Sequence, residues 1–139
     1  MIIPPPVPGL VIRYSFLWSN EARQSATEGR KDRPAAIVVA AQKADGRISV
    51  IVAPITHEKP SDIDGSLEVP AAIAKALGLD GDRQWLRFDE LNRFDWPGFD
   101  LRPIPGQESC AYGMLPKDLY EQLREGILKR QRTRKLTQR

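Results

Sequence analysis

Residues 29–57 read GRKDRPAAIVVAAQKADGRISVIVAPITH, two apolar runs joined by a turn signal. Residues 34–42 form one continuous run and residues 47–56 the second, with Ala44-Asp45-Gly46 between them. An Asp-Gly pair flanked by two such runs is a strong hairpin signal, because the turn needs a residue tolerant of positive φ. Pro34 then stands at the start of its strand, where a missing N–H does least harm. Closing the hairpin brings the entry of one strand to the exit of the other, so Arg33, Thr56 and the chain's one histidine, His57, share a rim. A fixed cation beside a hydroxyl predicts an anion site there.

The flanking sequence supplies the rest of a small sheet. Residues 9–18, GLVIRYSFLW, mix β-branched and aromatic side chains and predict a first strand with apolar residues on both faces. Residues 19–32 are polar and charged and predict a mobile loop, of the kind that carries function in small domains. Residues 66–69 and 84–89 predict short strands, with residues 93–96 continuing the sheet. Residues 70–78, PAAIAKALG, read as a short helix with Pro at its start and Gly just past its end. From residue 116 to about 129, Leu119, Leu123 and Ile127 recur at helical spacing with Tyr120 and Leu128 widening the stripe, which predicts a helix docked by one face. Beyond residue 129 the pattern fails, and a frayed tail is expected. These elements predict one α+β, mostly β domain over residues 1–128, either a small antiparallel α+β domain or a partly open barrel, with a terminal amphipathic helix and a short inserted one.

Composition narrows the class without naming a function. A chain of 139 residues with 41% hydrophobic and 28% charged residues has the make-up of an ordinary globular protein. The net charge of +3 is misleading, since residues 129–139 carry six Lys or Arg and no acid, leaving 15 basic against 18 acidic groups in residues 1–128. Basic pI therefore describes the tail, and generic tails of this kind are no argument for RNA binding. The single cysteine, Cys110, excludes an intramolecular disulfide and fits a reducing, cytoplasmic setting as a buried small residue. Charged or polar residues interrupt every apolar run, and no membrane association is expected.

Four short segments, in order and in strand context, carry a resemblance. A strand opening at Gly9-Leu10-Val11-Ile12, then Asp32-Arg33-Pro34 leading into Ile37-Val38-Val39, then Ala53-Pro54-Ile55-Thr56, and later Leu86-Arg87-Phe88-Asp89, are similar to the MazF/PemK toxins of bacterial type II toxin–antitoxin modules. The last segment resembles the Arg-x-Asp pair of the Kid-like branch. What the resemblance implies is an SH3-like barrel working as a homodimer, silenced by a cognate antitoxin and bound to operator DNA only in complex with it. It also implies a metal-independent, cofactor-free endoribonuclease on single-stranded RNA, in which the 2′-OH attacks phosphorus to leave a 2′,3′-cyclic phosphate and a 5′-OH.

On this resemblance the residues take roles. Arg33 would hold phosphoryl oxygens through its planar fork, and Thr56 would add a hydroxyl hydrogen bond. Asp89 would take the 2′-OH proton, with Arg87 as a second phosphate clamp. Lying two apart on a strand, Arg87 and Asp89 point to one face. His57 replaces the Ser or Thr of the usual pattern; it is either a general acid or base or a loop histidine capping a turn. Glu28, Arg30 and Lys31 in the 19–32 loop would touch RNA. Trp96 could stack on a base, with loop anchoring as its other reading, and Trp18 reads as core. The segment 92–100 and the inserted helix have no place in the family pattern and mark a divergent branch. Two alternatives stay open at this point: a barrel relative that binds DNA gyrase without cutting RNA, and a decayed module that only binds RNA or protein.

Overall fold

The computed structural model describes residues 1–27, 29 and 31–139. Its elements in chain order are β1 (Leu10–Ser15), α1 (Ser19–Arg23), β2 (Asp32–Gln42), β3 (Ile48–Thr56), β4 (Ser66–Glu68), α2 (Ala71–Ala76), β5 (Trp85–Arg87), β6 (Glu90–Trp96), β7 (Ala111–Met114), α3 (Lys117–Lys129) and β8 (Lys135–Gln138), with a single 3₁₀ turn at Ile63–Gly65 before β4. The fold is α+β, mostly β and barrel-like, and its sheet does not close.

The β2–β3 hairpin is the spine. Lys43 N donates to the Arg47 carbonyl and Gly46 N to the Lys43 carbonyl, so the turn has three residues, and only Gly46 needs positive φ, at 86°. β1 pairs antiparallel with β2 on one side and with β7 on the other. The long β3 serves two partners on its outer edge. Its first half, from Ile48 to Val52, pairs with β6, while Ile55 and Thr56 pair with β5, which in turn pairs with β4. Thus β5 and β6 turn away from each other at Phe88 and Asp89. This splits the strand expected over residues 84–89 and places Asp89 at a corner rather than within a strand.

The sheet buries both faces, as alternation in β1 predicted. Val11, Ala36, Val38, Ala53 and Ile55 pack with Leu86 and Phe88 under α2 and α3, where Leu119, Leu123 and Ile127 dock. Leu128 stays exposed, so the apolar stripe of α3 is narrower than its sequence suggested. Ile12, Tyr14, Phe16, Ile37, Val52, Phe94 and Cys110 form the second core on the opposite face. Tyr14 and Phe94 stack at 4.8 Å between ring centroids. No helix among the described residues is long and apolar enough to cross a membrane.

Two further expectations need correction. The 19–32 loop begins with a helical turn, α1, held where the Trp18 N–H donates to the Glu21 carboxylate at 3.1 Å. The expected frayed tail of residues 129–139 contains β8, which runs parallel to β6 with Glu90 paired to Lys135 and Arg93 to Gln138. Sequence periodicity missed it because one edge strand of four polar-rich residues, KLTQ, has too few apolar positions to show a period.

Candidate functional site

Ala35 pairs with Pro54, so two residues further out Arg33 and Thr56 face one another across the ladder. Arg33 Nη1 donates to Thr56 Oγ1 at 3.3 Å, and the same oxygen accepts the Glu58 N–H at 3.2 Å. Thr56 is buried, at 6% exposure. Arg33 Nε is also buried, and it has no hydrogen-bond partner among the described residues. A buried donor left open costs about 1–3 kcal/mol, which an acceptor placed there by a ligand would recover. Burial lowers the pKa of Arg33; the carboxylates of Glu21 and Glu58 oppose that shift and the charge of Arg87 adds to it. An arginine stays cationic at neutral pH through any such shift.

Trp18 joins Arg33 to the distant strand. The Arg33 guanidinium lies 5.1 Å from the indole centroid and the Arg87 guanidinium 4.7 Å from the same ring. Arg87 in turn grips Asp89 with a two-pronged bond, Nε to Oδ1 at 3.0 Å and Nη2 to Oδ2 at 2.7 Å. Both side chains are 19% exposed. The bond to Asp89 raises the pKa of Arg87 against the opposing effect of burial. Arg33, Thr56, Arg87 and Asp89 therefore meet in one cluster, and the indole that organises it belongs to the residue that sequence patterning assigned to the core. Trp18 is half-buried and packs edge-on against Phe16 at 4.9 Å.

The placement of Trp18 has its own supports. On one side of it the Leu17 N–H donates to Asn92 Oδ1 at 2.9 Å and Asn92 Nδ2 donates back to the Leu17 carbonyl at 2.8 Å. On the other, the Ser19 N–H donates to Glu90 Oε1 at 2.7 Å. Both partners lie on β6. Sequence reasoning missed them, though Asn92 sits in register with Phe94 and Trp96 on the apolar face of ELNRFDW, where a polar side chain must find partners.

A cavity of about 590 Å³ opens on the other side of Arg33 and Thr56. Its walls include Arg13, Lys31, His57, Gln84 and Tyr112, whereas Trp18, Arg87 and Asp89 do not line it. Register explains the division. Arg13 stands opposite Pro34 and Arg33 opposite Tyr14, so the two arginines leave the β1–β2 ladder on different faces. Arg13 Nη1 donates to the Tyr112 hydroxyl at 3.1 Å, and no carboxylate among the described residues pairs with it.

His57 is tied to the 80–83 turn. Nδ1 bonds the Arg83 carbonyl at 3.0 Å and Nε2 bonds Asp80 Oδ2 at 2.8 Å. A carbonyl accepts only, so Nδ1 carries a proton, and a carboxylate partner at Nε2 asks for the second. Burial alone lowers the His57 pKa, but these two bonds, with the charges of Asp80 and Asp82, raise it above the ordinary value. The geometry is that of a loop clip, with both ring nitrogens engaged. His57, Asp80 and Asp82 bring ligand atoms within 4.8 Å of one another, all exposed, and the His57–Asp80 bond accounts for that cluster as an ion pair.

Of the expected RNA contacts, Lys31 lies exposed at the cavity wall. Trp96 pairs with Ile48, at the opposite end of β3 from Thr56, and is not brought to the cluster. Glu28 and Arg30 lie outside the described residues. No protein-family model matches the chain, and no curated protein matches it.

Proposed function

We propose that the protein is the toxin of a type II toxin–antitoxin module, a metal-independent endoribonuclease that cuts single-stranded RNA by 2′-OH attack. The observation that carries the reading is Arg33, whose Nη1 is fixed on Thr56 while its buried Nε has no acceptor among the described residues. A scissile phosphate at this point receives bonds from Arg33 and the Thr56 hydroxyl, with Arg87 beside them.

Catalysis follows from where charge develops. Arg33 and Arg87, 5.1 and 4.7 Å from the Trp18 ring centroid, repel one another, a cost that the indole π system reduces. A phosphorane carries more negative charge than the phosphodiester it came from, so it relieves this repulsion more than the ground state does. That difference lowers the barrier. Arg87 keeps two oxygens of Asp89 in a fixed direction, and the carboxylate retains further lone pairs able to take the 2′-OH proton. As the 2′-oxygen bonds to phosphorus, the bond to the 5′-oxygen breaks, and that oxygen takes its proton from water. Arginine cannot supply it at neutral pH.

On the same reading the active species is a homodimer, and the antitoxin silences it by covering the arginine rim with an acidic segment. The test is to incubate the purified protein with a long single-stranded RNA in EDTA. Fragments with 5′-OH ends, which a polynucleotide kinase labels without prior phosphatase, support the reading. RNA left intact, or cut only when a divalent metal is added, refutes it.

A further inference from the structure

We infer that Arg139 is a positioning residue: β8 is a latch that holds Trp18 and the Asp89 corner in place. Calling the latched cluster an active site rests on the function proposed above.

The Arg139 side chain is 3% exposed, and it is inserted between β1, β6 and the 96–101 segment. Nη1 donates to the Ser15 carbonyl at 2.6 Å, to Asn92 Oδ1 at 3.0 Å and to the Tyr14 hydroxyl at 3.0 Å. Nη2 donates to the Thr27 carbonyl at 3.0 Å and pairs with Asp100 Oδ1 at 2.8 Å. The guanidinium also lies 5.3 Å from the centroid of the Tyr14 ring. Burial raises the pKa of Tyr14, so the ring stays a neutral phenol beside this cation.

These acceptors are not scattered. Asn92 is the residue that exchanges two bonds with Leu17, and Ser15 and Thr27 lie on either side of the chain that carries Trp18 and α1. One planar fork thus ties the ends of the 15–27 segment to β6. At the other end of β8 the Lys135 N–H donates to the Asp89 carbonyl at 2.8 Å, and the Arg139 N–H closes the ladder on the Arg93 carbonyl at 2.8 Å. The two ends of one four-residue strand therefore meet the two halves of the cluster, Asp89 and the Trp18 segment. A lysine in place of Arg139 could keep the charge against Asp100. It could not satisfy the carbonyls of Ser15 and Thr27 together, because only the guanidinium offers donors in a fixed plane.

The test uses the full chain with Arg139→Lys, and Arg139→Ala beside it. The readouts are the three indole N–H resonances of Trp18, Trp85 and Trp96, and the cleavage rate on single-stranded RNA. In Arg139→Lys the Trp18 resonance is expected to move or broaden while those of Trp85 and Trp96 hold, with cleavage at least tenfold slower than wild type. Arg139→Ala should show the same pattern more strongly, and addition of methylguanidinium should partly restore it. A Trp18 resonance that holds in Arg139→Lys overturns the latch, and so does equal movement of all three indoles, which reports general loosening. If wild type cuts no RNA yet the Trp18 resonance moves alone, the ribonuclease reading fails and the latch stands.

Discussion

Arg87 holds both carboxylate oxygens of Asp89, at 3.0 and 2.7 Å, across a strand end only two residues long. The pair lies against Trp18 within reach of Arg33, so Asp89 offsets one of two neighbouring cations in the resting protein. On the proposed function, Asp89→Asn keeps the shape but removes both the base and the offsetting charge. The cleavage rate at saturating RNA should fall by about 10²–10⁴-fold, the usual worth of a positioned general base. RNA binding, measured on a non-cleavable 2′-deoxy analogue, should hold or tighten because the site gains one net positive charge. Weaker binding with an unchanged rate would show that Asp89 has no part in the chemistry.

At the cavity wall, beside Lys31 and on the face away from Arg87, Arg13 presents a cation with no carboxylate partner among the described residues. On the proposed reading it meets a phosphate next to the scissile one. Arg13→Ala should flatten the plot of log affinity against log salt by about 0.7, the contribution of one phosphate on a single strand. Titration of a fluorescent 2′-deoxy oligonucleotide at several salt concentrations checks this. An unchanged slope would place the phosphate elsewhere.

His57 gives a pH signature with a definite sign. Its bonds to Arg83 and Asp80 raise its pKa in the folded chain against the effect of burial. The clip therefore contributes its full stability below the unfolded value of about 6.5, and the contribution is lost as pH rises through the higher folded value. About half of the side chain is exposed, so screening limits the contribution to no more than about 1 kcal/mol. Thermal melts of His57→Gln should fall below those of wild type in mild acid and converge with them in alkali. Since both ring nitrogens are engaged, His57→Gln should still cut RNA at a rate near that of wild type. A collapse of activity without loss of stability would instead make the histidine an acid or base.

Gly126 lies near the C-terminal turn of α3, and a Cβ built there would come 2.6 Å from Phe88 Cζ and under 3.0 Å from two more atoms of that ring. Phe88 is buried and stands between Arg87 and Asp89 in the chain, so it has little room to give. Helix propensity favours Gly126→Ala by about 1 kcal/mol, while overpacking costs about 1–3 kcal/mol. The net expectation is a loss of up to about 2 kcal/mol in denaturant unfolding, with slower cleavage as the Arg87–Asp89 corner shifts. A stabilised variant would mean that the ring moves freely.

The hairpin was legible because its signals are local: two apolar runs, an Asp-Gly turn and a strand-opening proline. The meeting of Arg33 with Thr56 followed from that closure alone. The short helix at 71–76 and the docked face of α3 were likewise written in Pro70, Gly78 and the Leu119–Leu123–Ile127 spacing. What the sequence hid depends on contacts across the chain. Trp18 lies in an aromatic run that looks like core, and only the positions of Arg33 and Arg87, 15 and 69 residues onward, make it a platform for cations. Arg139 sits in a run of basic residues where each looks like the next. Its insertion depends on Asp100, Asn92 and two backbone carbonyls that no local pattern connects.

The central claim is that Arg33, whose buried Nε has no hydrogen-bond partner among the described residues, is the charge that stabilises the phosphorane. The most direct test is the single-turnover cleavage rate of one single-stranded RNA in EDTA by wild type and by Arg33→Ala, with the product ends identified. The account predicts 2′,3′-cyclic phosphate and 5′-OH ends from wild type, and a rate about 10²–10³-fold lower for Arg33→Ala, as for the loss of one preorganised donor to a developing anion. RNA untouched by folded wild type, or cleaved equally fast by both proteins, would contradict it.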